Sequence, residues 1–145
     1  MAFPKPVPAQ VIRYCYLWKS EFERGQEEGN KDRPCAVVLT TTGEEGDHVV
    51  TVLPITHTPH YDPAEAVEIP AGTKERLGLD GARSWVVLTE ANRFTWPGPD
   101  LRMAKRDDPS SVVYGLLPEH VFETIRKRFI AYLKAHEAKL VQRTE

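Results

Sequence analysis

Three strand ends of this chain carry side chains able to hold an anion and move a proton. Arg33 begins one apolar run, Thr56 and His57 end a second, and Glu90, Asn92 and Arg93 follow a third. Arginine is a permanent cation with a forked donor set, a threonine hydroxyl both donates and accepts, and histidine exchanges protons near neutral pH. Polar residues gathered at strand ends are how small β domains build sites. Each also has an ordinary reading: Arg33 as a loop-capping ion pair, Thr56 as a strand residue of high β-propensity. His57-Thr-Pro-His60, with Asp62 nearby, has the composition of a two-His, one-carboxylate metal site. Its spacing matches no specific metal motif, Pro59 restricts how the imidazoles converge, and a polar loop is the alternative. The sequence has no Gly-rich phosphate loop and no Cys-x-x-Cys pair, and Ser20, Ser84, Ser110 and Ser111 lack the context of a nucleophile elbow.

The elements that must position these residues are short strands. Val11–Trp18, Cys35–Thr40, His48–Thr56, Ala66–Ile69, Ser84–Thr89 and Val112–Leu117 are apolar, β-branched or alternating, and read as strands. Pro54 near the end of the third run predicts a bend there. Lys19–Asp32 is polar and reads as a long exposed loop, and Asn92–Pro109, with three prolines and four basic residues, reads as another. Thr73–Leu79 reads as one helical turn. Pro118 suits the first turn of a helix, after which Val121, Phe122, Ile125, Phe129, Tyr132, Leu133, His136 and Leu140 recur at helical spacing. Strands followed by one long amphipathic helix predict a mainly β domain, a small barrel or bent sheet with a C-terminal helix packed on it.

Composition bounds the function. At 145 residues the chain reads as a single domain, large enough to bury a core without disulfide or metal. Lys plus Arg is 19 against 21 Asp plus Glu, a formal net charge of −2, which excludes an overtly basic nucleic-acid-binding domain but not a local basic site. The charge is uneven: Lys19–Asp32 carries five acids against three bases, whereas Arg93, Arg102, Lys105 and Arg106 face Asp100 alone across 91–106. The start of the chain lacks an apolar signal region, and no apolar run reaches the length of a membrane span. Cys15 and Cys35 sit in apolar segments and read as free, buried thiols, so a cytoplasmic location is expected.

Four ordered blocks resemble the MazF/PemK toxin family of type II toxin–antitoxin systems, from about Val11 to the end of the helix. An N-terminal strand ending in an aromatic precedes Glu28, Gly29 and Arg33-Pro34, which lead into Cys35–Leu39. Val52-Leu-Pro-Ile-Thr56 is similar to the family's strand ending in Thr or Ser. Val86–Trp96, with Glu90 and Arg93, is similar to its acidic residue followed by a basic one. Leu116-Leu-Pro-Glu119 opens the final helix. The resemblance implies an SH3-like barrel over 1–145, with 1–10 as a flexible N-terminal segment, acting as a homodimer. It also implies metal-independent cleavage of single-stranded RNA, no cofactor, growth inhibition and neutralisation by a cognate antitoxin protein. Arg33 and Thr56 would be catalytic, with Glu28 or His57 as base, or Glu28 orienting Arg33. Glu90, Asn92, Arg93, Trp96 and Arg102 would bind RNA, and Trp18, Phe94 and Trp96 are the aromatics on which bases would stack. Strand alternation would turn His57 to the face opposite Thr56. The chain departs from the family in its long acidic 19–32 stretch, in 92–108, and in having Leu88 and Glu90 where some relatives carry an Arg-Asp acid–base pair. The same fold also hosts non-catalytic growth inhibitors that act on a protein such as DNA gyrase, so the fold alone does not select the activity.

Overall fold

In a computed structural model the described residues are 3–26, 29, 31–43, 45–59, 62–135 and 137–143. Eight strands form one sheet: β1 (Gln10–Tyr14), β2 (Arg33–Thr42), β3 (His48–Thr56), β4 (Ala66–Glu68), β5 (Trp85–Val87), β6 (Glu90–Trp96), β7 (Val113–Leu116) and β8 (Lys139–Gln142). Three helices accompany them: α1 (Lys19–Glu23), α2 (Ala71–Leu77) and α3 (Glu119–Lys134). The hydrogen-bonded order is β4-β5-β3-β2-β1-β7, with β6 on β3 and β8 on β6. All pairings are antiparallel except β6–β8. The small-barrel expectation is met as a mainly β sheet that does not close, with a long helix near the C-terminus.

The centre of the sheet is β3, and its two halves have different neighbours. Val52 pairs with Asn92 of β6, while Ile55 and Thr56 pair with Val86 and Trp85 of β5. Pro54 stands between them. Having no N–H, it cannot extend the ladder, and the strand changes partner there. Alternation along the strands divides the apolar residues into two cores. Val11, Ala36, Val38, Leu53 and Ile55 pack with Val121, Phe122, Ile125 and Phe129, the inward stripe of α3. Ile12, Tyr14, Cys35, Val37, Val50 and Val52 pack with Phe94, Trp96 and Leu101 in the second core. Both cysteines are buried and free, and burial pushes both thiols up.

Three expectations are corrected. Lys19–Asp32 begins with α1, anchored by Glu21, whose Oε1 accepts the Trp18 N–H at 3.0 Å. Asn92–Pro109 begins with most of β6, so Glu90, Asn92 and Arg93, which follow β5, lie within a strand and not in a loop. α3 stops at Lys134, and Leu140 reaches the first core from β8, which explains how it fits a helical spacing without being helical. Within 3–10, the Pro4 carbonyl accepts from Trp96 Nε1 at 3.0 Å and Ala9 N donates to the Val37 carbonyl at 2.9 Å. No described helix is long and apolar enough to cross a membrane.

Candidate active site

The sheet brings the starts and ends of its central strands to one cleft of about 490 Å³, lined by Trp18, Arg33, Thr56, His57, Asp80 and Tyr114 among others. Arg33 opens β2, directly across from Tyr14 of β1. Its guanidinium lies 4.9 Å from the centre of the Trp18 ring, and Nη1 donates to the Ile55 carbonyl at 3.4 Å. Its Nε is buried and bonds nothing among the described residues. The platform beneath it is fixed in layers. Trp18 packs edge-on against Tyr16, with ring centres 5.2 Å apart. The Tyr16 hydroxyl donates to Glu90 at 3.0 Å, and the same oxygen of Glu90 accepts the Lys19 N–H at 3.0 Å. The guanidinium is thus held on an aromatic face in the wall of the cleft.

Thr56 is the last residue of β3, and the strand stops there. Its Oγ1 accepts the Thr58 N–H at 3.1 Å, which fixes the oxygen and leaves its own proton to be donated. Because the chain bends immediately after Thr56, His57 does not alternate to the far face, and both residues line the cleft. This corrects the alternation expectation. His57 Nε2 stands 2.8 Å from Asp80 Oδ2.

Asp80 and Lys74 belong to the site and were missed in the sequence. α2 ends at Gly78, whose φ of 73° is the left-handed conformation glycine adopts at a helix stop. The turn delivers Asp80 across from His57. Asp80 Oδ1 accepts from Lys74 Nζ at 2.7 Å and from Ala82 N at 3.1 Å. The buried Lys74 also donates to Ser84 Oγ at 2.8 Å and to the Ala82 carbonyl. Lys74 above all, then the Ala82 N–H and His57, holds the Asp80 carboxyl below its ordinary range. The legible signal was Gly78-Leu-Asp80-Gly81, a helix stop carrying an acid.

The remaining candidates sit elsewhere. Asn92 is fully buried, and its amide is consumed: Oδ1 accepts the Leu17 N–H at 2.9 Å and Nδ2 donates to the Leu17 carbonyl at 2.8 Å. Phe94 and Trp96 stack on each other in the second core, with centres 6.1 Å apart, and offer no face to a base. The structure thus places Asn92, Phe94 and Trp96 in the interior, away from the cleft. Glu90 supports the Trp18 platform from behind. Arg93 is exposed on β6, where Nε donates to Gln142 at 2.9 Å. Arg102 stands behind Asp32, with Nε 3.2 Å from its carboxylate, and the Arg13 Nε approaches the same group at 3.9 Å. Glu28 and His60 lie outside the described residues, and so does the part of the metal expectation that needs His60. Among the described residues no group of three or more His, Cys, Asp or Glu stands ready to hold a metal ion.

A family model described as "PemK-like, MazF-like toxin of type II toxin-antitoxin system" matches residues 15–95, more than half of the chain, and spans Trp18, Arg33, Thr56, His57 and Asp80. No curated protein matches the chain.

Proposed function

The chain belongs to the PemK-like, MazF-like toxins of type II toxin–antitoxin systems, and from that membership we propose that it is a growth-inhibiting endoribonuclease that cuts single-stranded RNA without a metal ion. The observation that carries this reading is the Arg33 guanidinium, stacked on Trp18 in the wall of the cleft that Thr56 and His57 also line. RNA cleavage of this kind drives the 2′-oxygen onto phosphorus and expels the 5′-oxygen. Negative charge builds on the non-bridging oxygens. Arg33 clamps them with two donors, and Thr56 donates to one of them or orients the 2′-hydroxyl. His57, on the same wall, takes the 2′-hydroxyl proton. Trp18 offers the aromatic surface of the cleft to a neighbouring base. The protein acts in the cytoplasm, and as a homodimer, since β4, β7 and β8 are edges of the sheet that need cover. A cognate antitoxin neutralises it.

Purified protein is expected to cut single-stranded RNA in EDTA, leaving 2′,3′-cyclic phosphate and 5′-hydroxyl ends. Arg33→Ala is expected to lower the rate about 100–1000-fold, the usual cost of one lost donor to developing charge. Cutting that survives Arg33→Ala, or growth arrest with RNA left intact, would overturn the reading, the second outcome in favour of a protein target. Light scattering is expected to give twice the chain mass.

A further inference from the structure

We infer that Asp80, anchored by Lys74, is the positioning residue for His57, holding its imidazole so that Nδ1 receives the 2′-hydroxyl proton. This rests on the ribonuclease reading of the cleft. It adds two residues, from α2 and the turn after it, that neither the sequence motifs nor the strand ends pointed to.

The pairing is built from inside the fold outward. Lys74 is 5% exposed, and a buried ammonium must find acceptors for its three protons. It finds Asp80 Oδ1, Ser84 Oγ and the Ala82 carbonyl. Asp80 Oδ1 is therefore committed to Lys74 and Ala82 N, and only Oδ2 remains for His57. A carboxylate pinned in this way has one orientation, unlike a free surface carboxylate, which samples many. The His57 side chain is 58% exposed, so its ring reaches solvent while one nitrogen is tied. With Nε2 carrying its proton toward Asp80, Nδ1 keeps the lone pair, and among the described residues nothing bonds it. The charged and titratable groups that line the cleft with His57 are Asp80 and Lys74 from the α2 side, Lys31, Asp32 and Arg33 leading into β2, and Tyr114 on β7.

The step balances. Nδ1 takes the proton of the 2′-hydroxyl as the O2′–P bond forms. The P–O5′ bond breaks, and the 5′-oxygen is protonated by water. The imidazolium, held against the Asp80 carboxylate, later returns its proton to solvent. Asp80 itself keeps its charge throughout and touches no reacting atom.

Asp80→Asn, Asp80→Ala and Asp80→Glu test this against His57→Ala on a single-stranded RNA oligonucleotide. Asp80→Ala is expected to lower kcat about 10–100-fold, within the range of a misplaced proton-transfer group, with KM changed less than twofold. Asp80→Asn should fall between Asp80→Ala and wild type, and Asp80→Glu should recover most of the rate. The double variant with His57→Ala should be no slower than His57→Ala alone, because both changes remove one unit. Nitrogen NMR of neutral His57 should show the Nε2–H tautomer in wild type and a mixture in Asp80→Ala. Unfolding midpoints identify any variant that merely fails to fold, and Asp80→Glu then carries the comparison. Additive losses in the double variant, or an unchanged tautomer in Asp80→Ala, overturn the inference while the ribonuclease reading stands. Cutting that depends on Arg33 but not on His57 does the same. A wild-type protein that cuts no RNA overturns both.

Discussion

A buried arginine nitrogen without a partner costs a fold about 1–3 kcal/mol relative to a bonded one. Arg33, in the wall of the cleft, carries such a nitrogen. Its other attachments are a 3.4 Å hydrogen bond to the Ile55 carbonyl and the stacked contact with Trp18, which together contribute about 1–2 kcal/mol. The two sides nearly offset, so Arg33 contributes little net stability. Arg33→Met keeps a flexible apolar stem over Trp18 and removes the charge and all donors. It is expected to hold Tm within about 3 °C of wild type, a change of roughly 1 kcal/mol at this chain length, while RNA cutting falls at least 100-fold. Calorimetry and initial rates on one preparation check both halves. A large fall in Tm would make Arg33 a structural residue and remove the reason for treating the cleft as its purpose.

The elements that frame the cleft are tied at the opposite side of the sheet by Arg143, just after β8. Its guanidinium meets Asp100 at 2.9 Å, the Cys15 carbonyl at 2.9 Å, Asn92 Oδ1 at 3.1 Å and the Tyr14 hydroxyl at 3.2 Å. The Arg143 and Asp100 side chains are only 2% and 8% exposed. Breaking a buried pair by removing one partner leaves an uncompensated charge and costs about 3–5 kcal/mol. Arg143→Ala is therefore expected to lower the unfolding free energy measured in urea by that amount, in contrast to Arg33→Met, and a loss under about 1 kcal/mol would contradict the clamp. The same network marks where the sequence stops being legible. β3 and the first residue of β2 could be read from β-branched runs bounded by Pro34 and Pro54, and with them Arg33 and Thr56. β6 could not, because Asn92 and Arg93 look like loop residues, and only the tertiary partners Leu17 and Arg143 make a buried Asn satisfied in a strand. Asp80 was hidden for a related reason. Its meaning depends on Lys74 being buried, and Lys74 in a seven-residue helix has no periodic stripe to show it.

At the scale of the whole molecule, a net charge of −2 argues against binding RNA through a broad field, and the fold sharpens that point. Of the basic residues that looked available, Arg102 is engaged by Asp32 and Arg93 stands on β6 beside Gln142. Lys105 and Arg106 are exposed but do not line the cleft, so on its wall Arg33 and Lys31 remain to meet phosphates. Affinity for a single strand falls with salt in proportion to the phosphates neutralised, with a logarithmic slope of about −0.7 for each. Two cations predict a slope near −1.4, shallow for a nucleic-acid-binding protein, and specificity must then come from the shape of the cleft and from stacking on Trp18. An RNA oligonucleotide blocked by a 2′-deoxy sugar at the cutting position allows binding to be measured without turnover. Fluorescence anisotropy from 50 to 500 mM salt is expected to give about −1.4 for wild type and about −0.7 for Arg33→Ala. A slope steeper than −3 would mean that surfaces far from the cleft carry the strand, and the assignment of RNA to this wall of the sheet would fall.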